Sequence, residues 1–189
     1  MTTITAEQAQ AVLRQADVLC SAQAVTAALE RLAAAITARL RDCNPLLLAV
    51  MNGGMIPTVW LLGRLDFPLQ LGYVHASRYR GTTQGGELHW LVPPRLPVED
   101  RVVLVIDDIF DEGVTLKAIV EQLRQAGARA VYSAVLADKQ HDRKVPGFTV
   151  DFVGLTVVDR YVFGCGMDYH EYWRNLPAIY AIRENPASS

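Results

Sequence analysis

The stretch VVLVIDDIFDEGVTL, Val102 to Leu116, sets four carboxylates beside a turn suited to phosphate. Apolar residues Val102 to Ile106 lead into Asp107, Asp108, Asp111 and Glu112, and Gly113, Val114 and Thr115 then open a helical pattern. Where a strand turns into a helix, the first helical amides lack an intrahelical acceptor and point beyond the helix end. Gly113 can take the tight turn and Thr115 adds a hydroxyl, so the amides around 112–116 can wrap a phosphate monoester without a lysine. A nucleotide-triphosphate loop would read GxxxxGK[ST], with lysine where Val114 stands, so a nucleotide triphosphatase is disfavoured.

Two adjacent acids at the end of a buried strand are poorly explained as helix caps or surface ion pairs, because one must face the packed side. Asp107 and Asp108 suit a diol instead. Each carboxylate can accept a hydrogen bond from a sugar hydroxyl, and a divalent cation can bridge hydroxyls and phosphate oxygens. The four histidines, His75, His89, His141 and His170, show no i, i+4 pair and no HExxH spacing, so they read as surface or core residues rather than metal ligands. Cys20, Cys43 and Cys165 have no CxxC spacing and an odd count, which fits free structural thiols in a reducing cytoplasm.

These residues need elements to hold them. Thr5 is a helix cap for TAEQAQAVLRQADVLC, with Ala9, Val12, Leu13 and Ala16 at helical spacing. Ser21 caps a second helix through residue 44, with Val25, Leu29, Leu32, Ile36 and Leu40 on one stripe. Strands are expected at 46–51, 69–76, 101–108, 130–138, 151–157 and 178–182, and helices at 56–65 and 115–128. Apolar runs without alternation, separated by helices, indicate an α/β fold with a parallel sheet covered on both faces. Ligands of such sheets bind beyond the carboxyl ends of the strands. Residues 76–100 are rich in Gly, Thr, Arg and Pro and read as a lid or a β-hairpin, to which GELHWLV would give a strand.

The 189 residues suit one domain, and 51% hydrophobic against 20% charged residues is a globular balance. A net charge of −2 offers no global field for nucleic acid or an anionic membrane. The N-terminal segment lacks the basic start of a signal peptide, and no apolar run approaches the roughly 20 residues that span a bilayer.

VVLVIDDIFDEGVTL resembles the phosphoribosyl-pyrophosphate (PRPP) motif of type I phosphoribosyltransferases: four apolar residues, two acids, two apolar residues, then Asp-x-Gly-x-Thr. From about residue 45 to 182 the chain is similar to the hypoxanthine-guanine phosphoribosyltransferases. The resemblance implies one phosphoribosyltransferase-like domain over 1–189, a central mostly parallel sheet flanked by helices, and a small hood to which 1–44 and 159–189 contribute. It implies Mg²⁺-dependent pentosyl transfer from PRPP to hypoxanthine or guanine, giving IMP or GMP and pyrophosphate, in a cytoplasmic homodimer or homotetramer of purine salvage. A sister enzyme using xanthine or adenine, and a non-catalytic PRPP-binding regulator, are the competing readings. The regulator would need a basic face that this near-neutral chain does not show.

Carried over residue by residue, Asp107 and Asp108 would hold the ribose hydroxyls and the metal. Asp111 would be the general base or proton relay at purine N7. Glu112, Gly113, Val114 and Thr115 would bind the 5′-phosphate, although the family more often has Thr at position 112. VMNGGMIP resembles the pyrophosphate loop, often Leu-Lys-Gly-Gly and carrying a non-proline cis peptide, with Asn52 in place of lysine beside Gly53. SRYRGTTQGGE resembles the mobile lid, with Ser77 and Tyr79 as its Ser-x-Tyr pair; Arg78 and Arg80 read equally as phosphate contacts or as solvated surface arginines. In VDRYVFGCGMDYHEYWRNLP, Tyr161 would stack on the base and Val162 would read its edge through the backbone. Asp168 would reach base or metal, and Arg174 the pyrophosphate. Lys139 would donate to purine O6. Tyr169, Tyr172 and Trp173 read as aromatic core.

Overall fold

The computed structural model describes residues 4–78 and 88–183. In chain order they form α1 (Ala6–Gln15), β1 (Asp17–Cys20), α2 (Ala22–Leu40), β2 (Leu46–Val50), α3 (Met55–Leu62), β3 (Gln70–Arg78) and β4 (Leu88–Val92). There follow β5 (Val102–Phe110), α4 (Val114–Gln125), β6 (Ala130–Gln140), β7 (Phe152–Val158), β8 (Val162–Phe163) and β9 (Ile179–Ala181).

Six strands make the main sheet in the order β4-β3-β2-β5-β6-β7, and every neighbouring pair is parallel except β3 with β4. Alternate residues of the central strands feed two cores. Leu46, Leu48, Val103 and Val105 pack against Leu116, Ile119, Val120 and Leu123 of α4. Leu47, Leu104 and Ile106 pack on the other face with Leu61 of α3 and Leu29, Leu32 and Ile36 of α2. A strand buried on both faces needs no polar alternation, which is why the runs looked uniformly apolar.

The helix starts follow the expected chemistry. Thr5 and Gln8 form a reciprocal capping box on α1, and the Ser21 hydroxyl accepts from the Ala24 amide of α2. The sequence reading erred just beyond: residues 17–20 do not continue the first helix but form β1, antiparallel to β9. Val18, Leu19 and Cys20 carry no local mark that separates helix from strand, and their partner lies at the far end of the chain. Asp17 is fixed there by Arg160 at 2.7 Å and Arg183 at 3.3 Å. β1, β9 and the short, unanticipated β8 form a separate three-stranded sheet. β4 pairs with β3 as the hairpin reading expected, while Tyr79, Arg80 and the rest of the expected lid up to residue 87 lie outside the described residues.

Strand lengths create the notch that holds the site. β2 pairs with β5 only as far as Ala49 with Ile106, whereas β5 continues beside β6 as far as Phe110 with Asp138. The last residues of β5, Asp107 and Asp108 included, therefore overhang the end of β2. β2 is flanked by β3 on one side and β5 on the other, so chain connections diverge there, the place where open α/β sheets bind ligands.

Candidate active site

The loop after β2 closes one side of the notch. Its Met51–Asn52 peptide is cis. The Gly54 amide donates to Val50 O at 2.8 Å, and a Cβ placed on Gly53 would lie 2.0 Å from Asp108 Oδ2. Only glycine lets this backbone lie against the acid. From the opposite side Gly166 presses in as closely: a Cβ there would lie 2.2 Å from Gly53 O and 3.1 Å from Asp108 Cβ.

Asp108 is buried at 8% exposure, and Asp107 is partly buried. Each carboxylate turns back to accept from the next amide: Asp107 Oδ1 from Asp108 N at 2.9 Å, and Asp108 Oδ1 from Ile109 N at 2.8 Å. Burial pushes both acids above the ordinary carboxylate range, Asp107 the further because the Asp108 charge adds to it. A pair held this way gains from any cation or hydroxyl donor that reaches it.

At the end of β5, Gly113 adopts φ 77° and starts α4 without a side-chain cap, leaving the amides of Val114 and Thr115 to a ligand. Phe110 packs beneath the turn; a Cβ on Gly113 would lie 1.9 Å from its ring. Glu112, the acid that a phosphate loop explains least, is exposed, and its carbonyl accepts from the Val145 amide at 2.8 Å.

Register brings the next pair together. Phe110 lies opposite Asp138, so the residues one step on, Asp111 and Lys139, face each other across β5 and β6. Lys139 Nζ donates to Asp111 Oδ2 at 2.7 Å, and His141 Nε2 contacts Oδ1 at 2.6 Å. Burial alone would raise the Asp111 pKa, but the Lys139 and His141 hydrogen bonds outweigh it and hold the carboxyl below its ordinary range.

A cavity of about 340 Å³ opens over these groups, lined by Asp108, Ile109, Asp111, Lys139, Tyr161, Val162, Met167 and Asp168. Tyr161 is half exposed and meets Tyr169 edge-on at 5.7 Å, so one ring face is left to the cavity. Arg174 donates to Gly166 O at 2.8 Å and pairs with Asp168 Oδ1 at 2.7 Å, while Asp168 Oδ2 accepts from the Glu171 amide. Tyr172 and Trp173 point elsewhere, to the carbonyls of Ile4 and Ala9. Ser77, the last residue but one of β3, lies opposite His89 and is not among the residues that line the cavity.

Asp108, Asp111, Lys139, Tyr161, Val162 and Asp168 thus line one cavity, with Gly53 against Asp108 and Arg174 on Asp168. Asp107 and the 113–115 turn stand beside them on β5 and at the start of α4, and Asn52 on the loop that carries the cis peptide. Sequence reasoning passed over Ile109 and Met167, which supply apolar wall, and His141. Ile109 could have been found from strand alternation beside Asp108. His141 stands two residues after Lys139, on the same side of an extended chain.

A sequence profile for the phosphoribosyl transferase domain matches residues 15–171. The chain is 33% identical over 157 residues to the hypoxanthine-guanine-xanthine phosphoribosyltransferase of Tritrichomonas foetus, covering 83% of this chain and 86% of that one. It is 34% identical over 167 residues to the hypoxanthine-guanine phosphoribosyltransferase of Bacillus subtilis (strain 168), covering 88% and 92%. A solved hypoxanthine phosphoribosyltransferase from Staphylococcus aureus superposes with a TM-score of 0.85 at 27% identity, over 92% of this chain and 95% of that one. A solved hypoxanthine-guanine-xanthine phosphoribosyltransferase superposes at 0.80 and 30% identity, over 89% and 97%.

Proposed function

The chain belongs to the phosphoribosyltransferase family, and from that premise we propose that it is a purine-salvage enzyme. It transfers the 5-phosphoribosyl group of PRPP to N9 of hypoxanthine or guanine, giving IMP or GMP and releasing pyrophosphate. The observation that carries this reading is that the end of β5 and the turn after it set in succession an acid pair for a ribose diol, a Lys-Asp pair for a base and an uncapped helix start for a phosphate, beside one cavity that Asp108, Asp111 and Lys139 line.

The 5′-phosphate takes the amides of Glu112 to Thr115 and the Thr115 hydroxyl. Asp107 and Asp108 accept from the ribose hydroxyls, and Asn52, Gly53 and Arg174 meet the pyrophosphate. Tyr161 stacks on the purine, Val162 and Asp168 read its edge, and Lys139 leaves Asp111 to donate to O6. Asp111 then takes the proton from N7, and the purine N9 displaces pyrophosphate at the ribose carbon. Ser77 helps to exclude water, which would otherwise hydrolyse PRPP, while Tyr79, its expected lid partner, lies outside the described residues.

Magnesium fits the acid pair. Among the described residues no three His, Cys, Asp or Glu side chains converge into a cage of their own, and Mg²⁺ commonly takes one or two carboxylates with substrate phosphates. When bound it neutralises charge on the leaving pyrophosphate. Asp168 would join it only by exchanging Arg174 for the ion.

The whole chain acts as one domain, with β1 from the N-terminal part and β8 and β9 from the C-terminal part forming the hood that presents Tyr161 and Val162. Its three free thiols fit a reducing cytoplasm. No helix among the described residues is long and apolar enough to cross a membrane.

Pyrophosphate release from PRPP and Mg²⁺, measured separately with hypoxanthine, guanine, xanthine and adenine, tests the reading. Turnover with hypoxanthine or guanine is expected. Activity with adenine alone would remove Lys139 from O6, and no release with any base would favour a PRPP-binding regulator.

A further inference from the structure

His141 is the buried group that the purine reading leaves without a task. Its side chain is 2% exposed and lies on the carboxylate of Asp111, which lines the cavity. Its two ring nitrogens are committed differently. Nδ1 accepts the backbone N–H of Arg143 at 3.1 Å, and a backbone amide can only donate. The neutral ring therefore carries its hydrogen on Nε2 and donates it to Asp111 Oδ1 at 2.6 Å. The loop that supplies that amide is anchored in turn. Both terminal nitrogens of the Arg143 guanidinium donate to Asp159, each at 2.8 Å.

Asp111 thus has two donors of different mobility. Lys139 is a flexible ammonium on Oδ2; His141 is a buried ring on Oδ1, fixed from behind. We infer that His141 is a positioning residue for Asp111, gripping one carboxylate oxygen while Lys139 releases the other to meet the base. The inference rests on the phosphoribosyl-transfer reading above. Once Lys139 turns to a carbonyl of the purine, Oδ2 is open and, of the two side chains that bond Asp111 among the described residues, His141 is the one left to fix where it points. An error of about 1 Å in such a group can cost about 100-fold in rate.

Two variants separate positioning from packing. H141N keeps an acceptor for the Arg143 amide but is too short to donate where Nε2 does; H141Q reaches Asp111 with its amide N–H. Steady-state kinetics on the full chain with PRPP, Mg²⁺ and the preferred base should show kcat for H141N lowered about 10- to 100-fold, the worth of one charge-assisted hydrogen bond, with KM for PRPP within about twofold. H141Q should recover most of that loss. In a D111N background, H141N should change kcat by less than about twofold, because residues acting as one unit are not additive. H141S repeats the expectation should H141N not fold. Equal rates for H141N and H141Q, or losses that multiply with D111N, would overturn the inference. An active wild type with an unaffected H141N removes His141 alone, whereas a wild type silent with every base removes the underlying reaction and this role with it.

Discussion

At the scale of single residues, the acid pair trades stability for binding. Asp108 is buried beside Asp107, and burial raises the pKa of both. A carboxyl whose folded pKa is raised contributes stability below its unfolded pKa, near 3.9, and loses it as pH climbs through the folded value. At neutral pH the charged pair therefore opposes folding. D108N keeps an oxygen for the Ile109 amide and removes the charge. Its unfolding midpoint in the absence of ligand should exceed the wild type's at about pH 8, with the gain shrinking toward about pH 4. Its affinity for PRPP should fall about 10-fold or more. Melts across that range with calorimetric titration check both; a midpoint unchanged at the upper pH would show that the pair carries no charge penalty. The pair's types and position were legible in the sequence, because two acids after an apolar run have few structural uses. Their turn back onto the amides of the following residues was not, nor was the Gly53 backbone that lies against Asp108, since both are set by how the β2 loop and the end of β5 come together. His141 was invisible for a related reason: a histidine acquires meaning only from what faces each ring nitrogen.

At the scale of elements, β2 and β5 and the loops after them do the placing. Most of these elements could be read from apolar runs and caps, which are local signals. The overhang of β5 past β2 could not, because it is a difference between two strands rather than a property of either. Nor could β1, whose pairing with β9 is settled by residues 160–183. The glycines of the β2 loop show how tightly the overhang is filled. A Cβ on Gly54 would meet backbone, lying 2.4 Å from Ile106 O and 2.7 Å from Val50 O, whereas one on Gly53 would meet the Asp108 carboxylate. Neither residue has a positive φ, so the cost lies in space alone. G54A should lower stability by about 1–3 kcal/mol, since neither strand can retreat without losing its ladder. G53A should keep most of the fold and lose PRPP affinity as Asp108 is pushed aside. Denaturant unfolding and PRPP titration of the two variants separate these outcomes, and equal stability losses would contradict the assignment of Gly53 to the site.

At the scale of the whole molecule, the N-terminal elements pair with the C-terminal segment, and apolar residues of β3 and α3 stay exposed. Trp173 Nε1 donates to Ala9 O at 3.0 Å and Arg160 pairs with Asp17, so α1 and the C-terminal segment brace the small sheet that carries Tyr161 and Val162. On the main sheet, Leu71 and Tyr73 of β3 lie opposite Leu47 and Ala49 of β2, on the face that α3 covers. Met55 and Val59 of α3 are exposed as well, and these four residues are 41–59% exposed. Scattered apolar residues are ordinary on a surface, but exposed apolar residues on both a strand and a helix are the kind of surface on which copies of a chain can associate. We propose that two copies pair across it. Light scattering on a size-exclusion column should then give twice the chain mass for the wild type. V59K/L71K puts like charges on both copies of the face, at positions exposed enough to cost the single chain about 0.5 kcal/mol or less each, and should elute at the mass of one chain with its unfolding cooperative. A wild type at the mass of one chain, or a charged variant that stays paired, would place the contact elsewhere or abolish it.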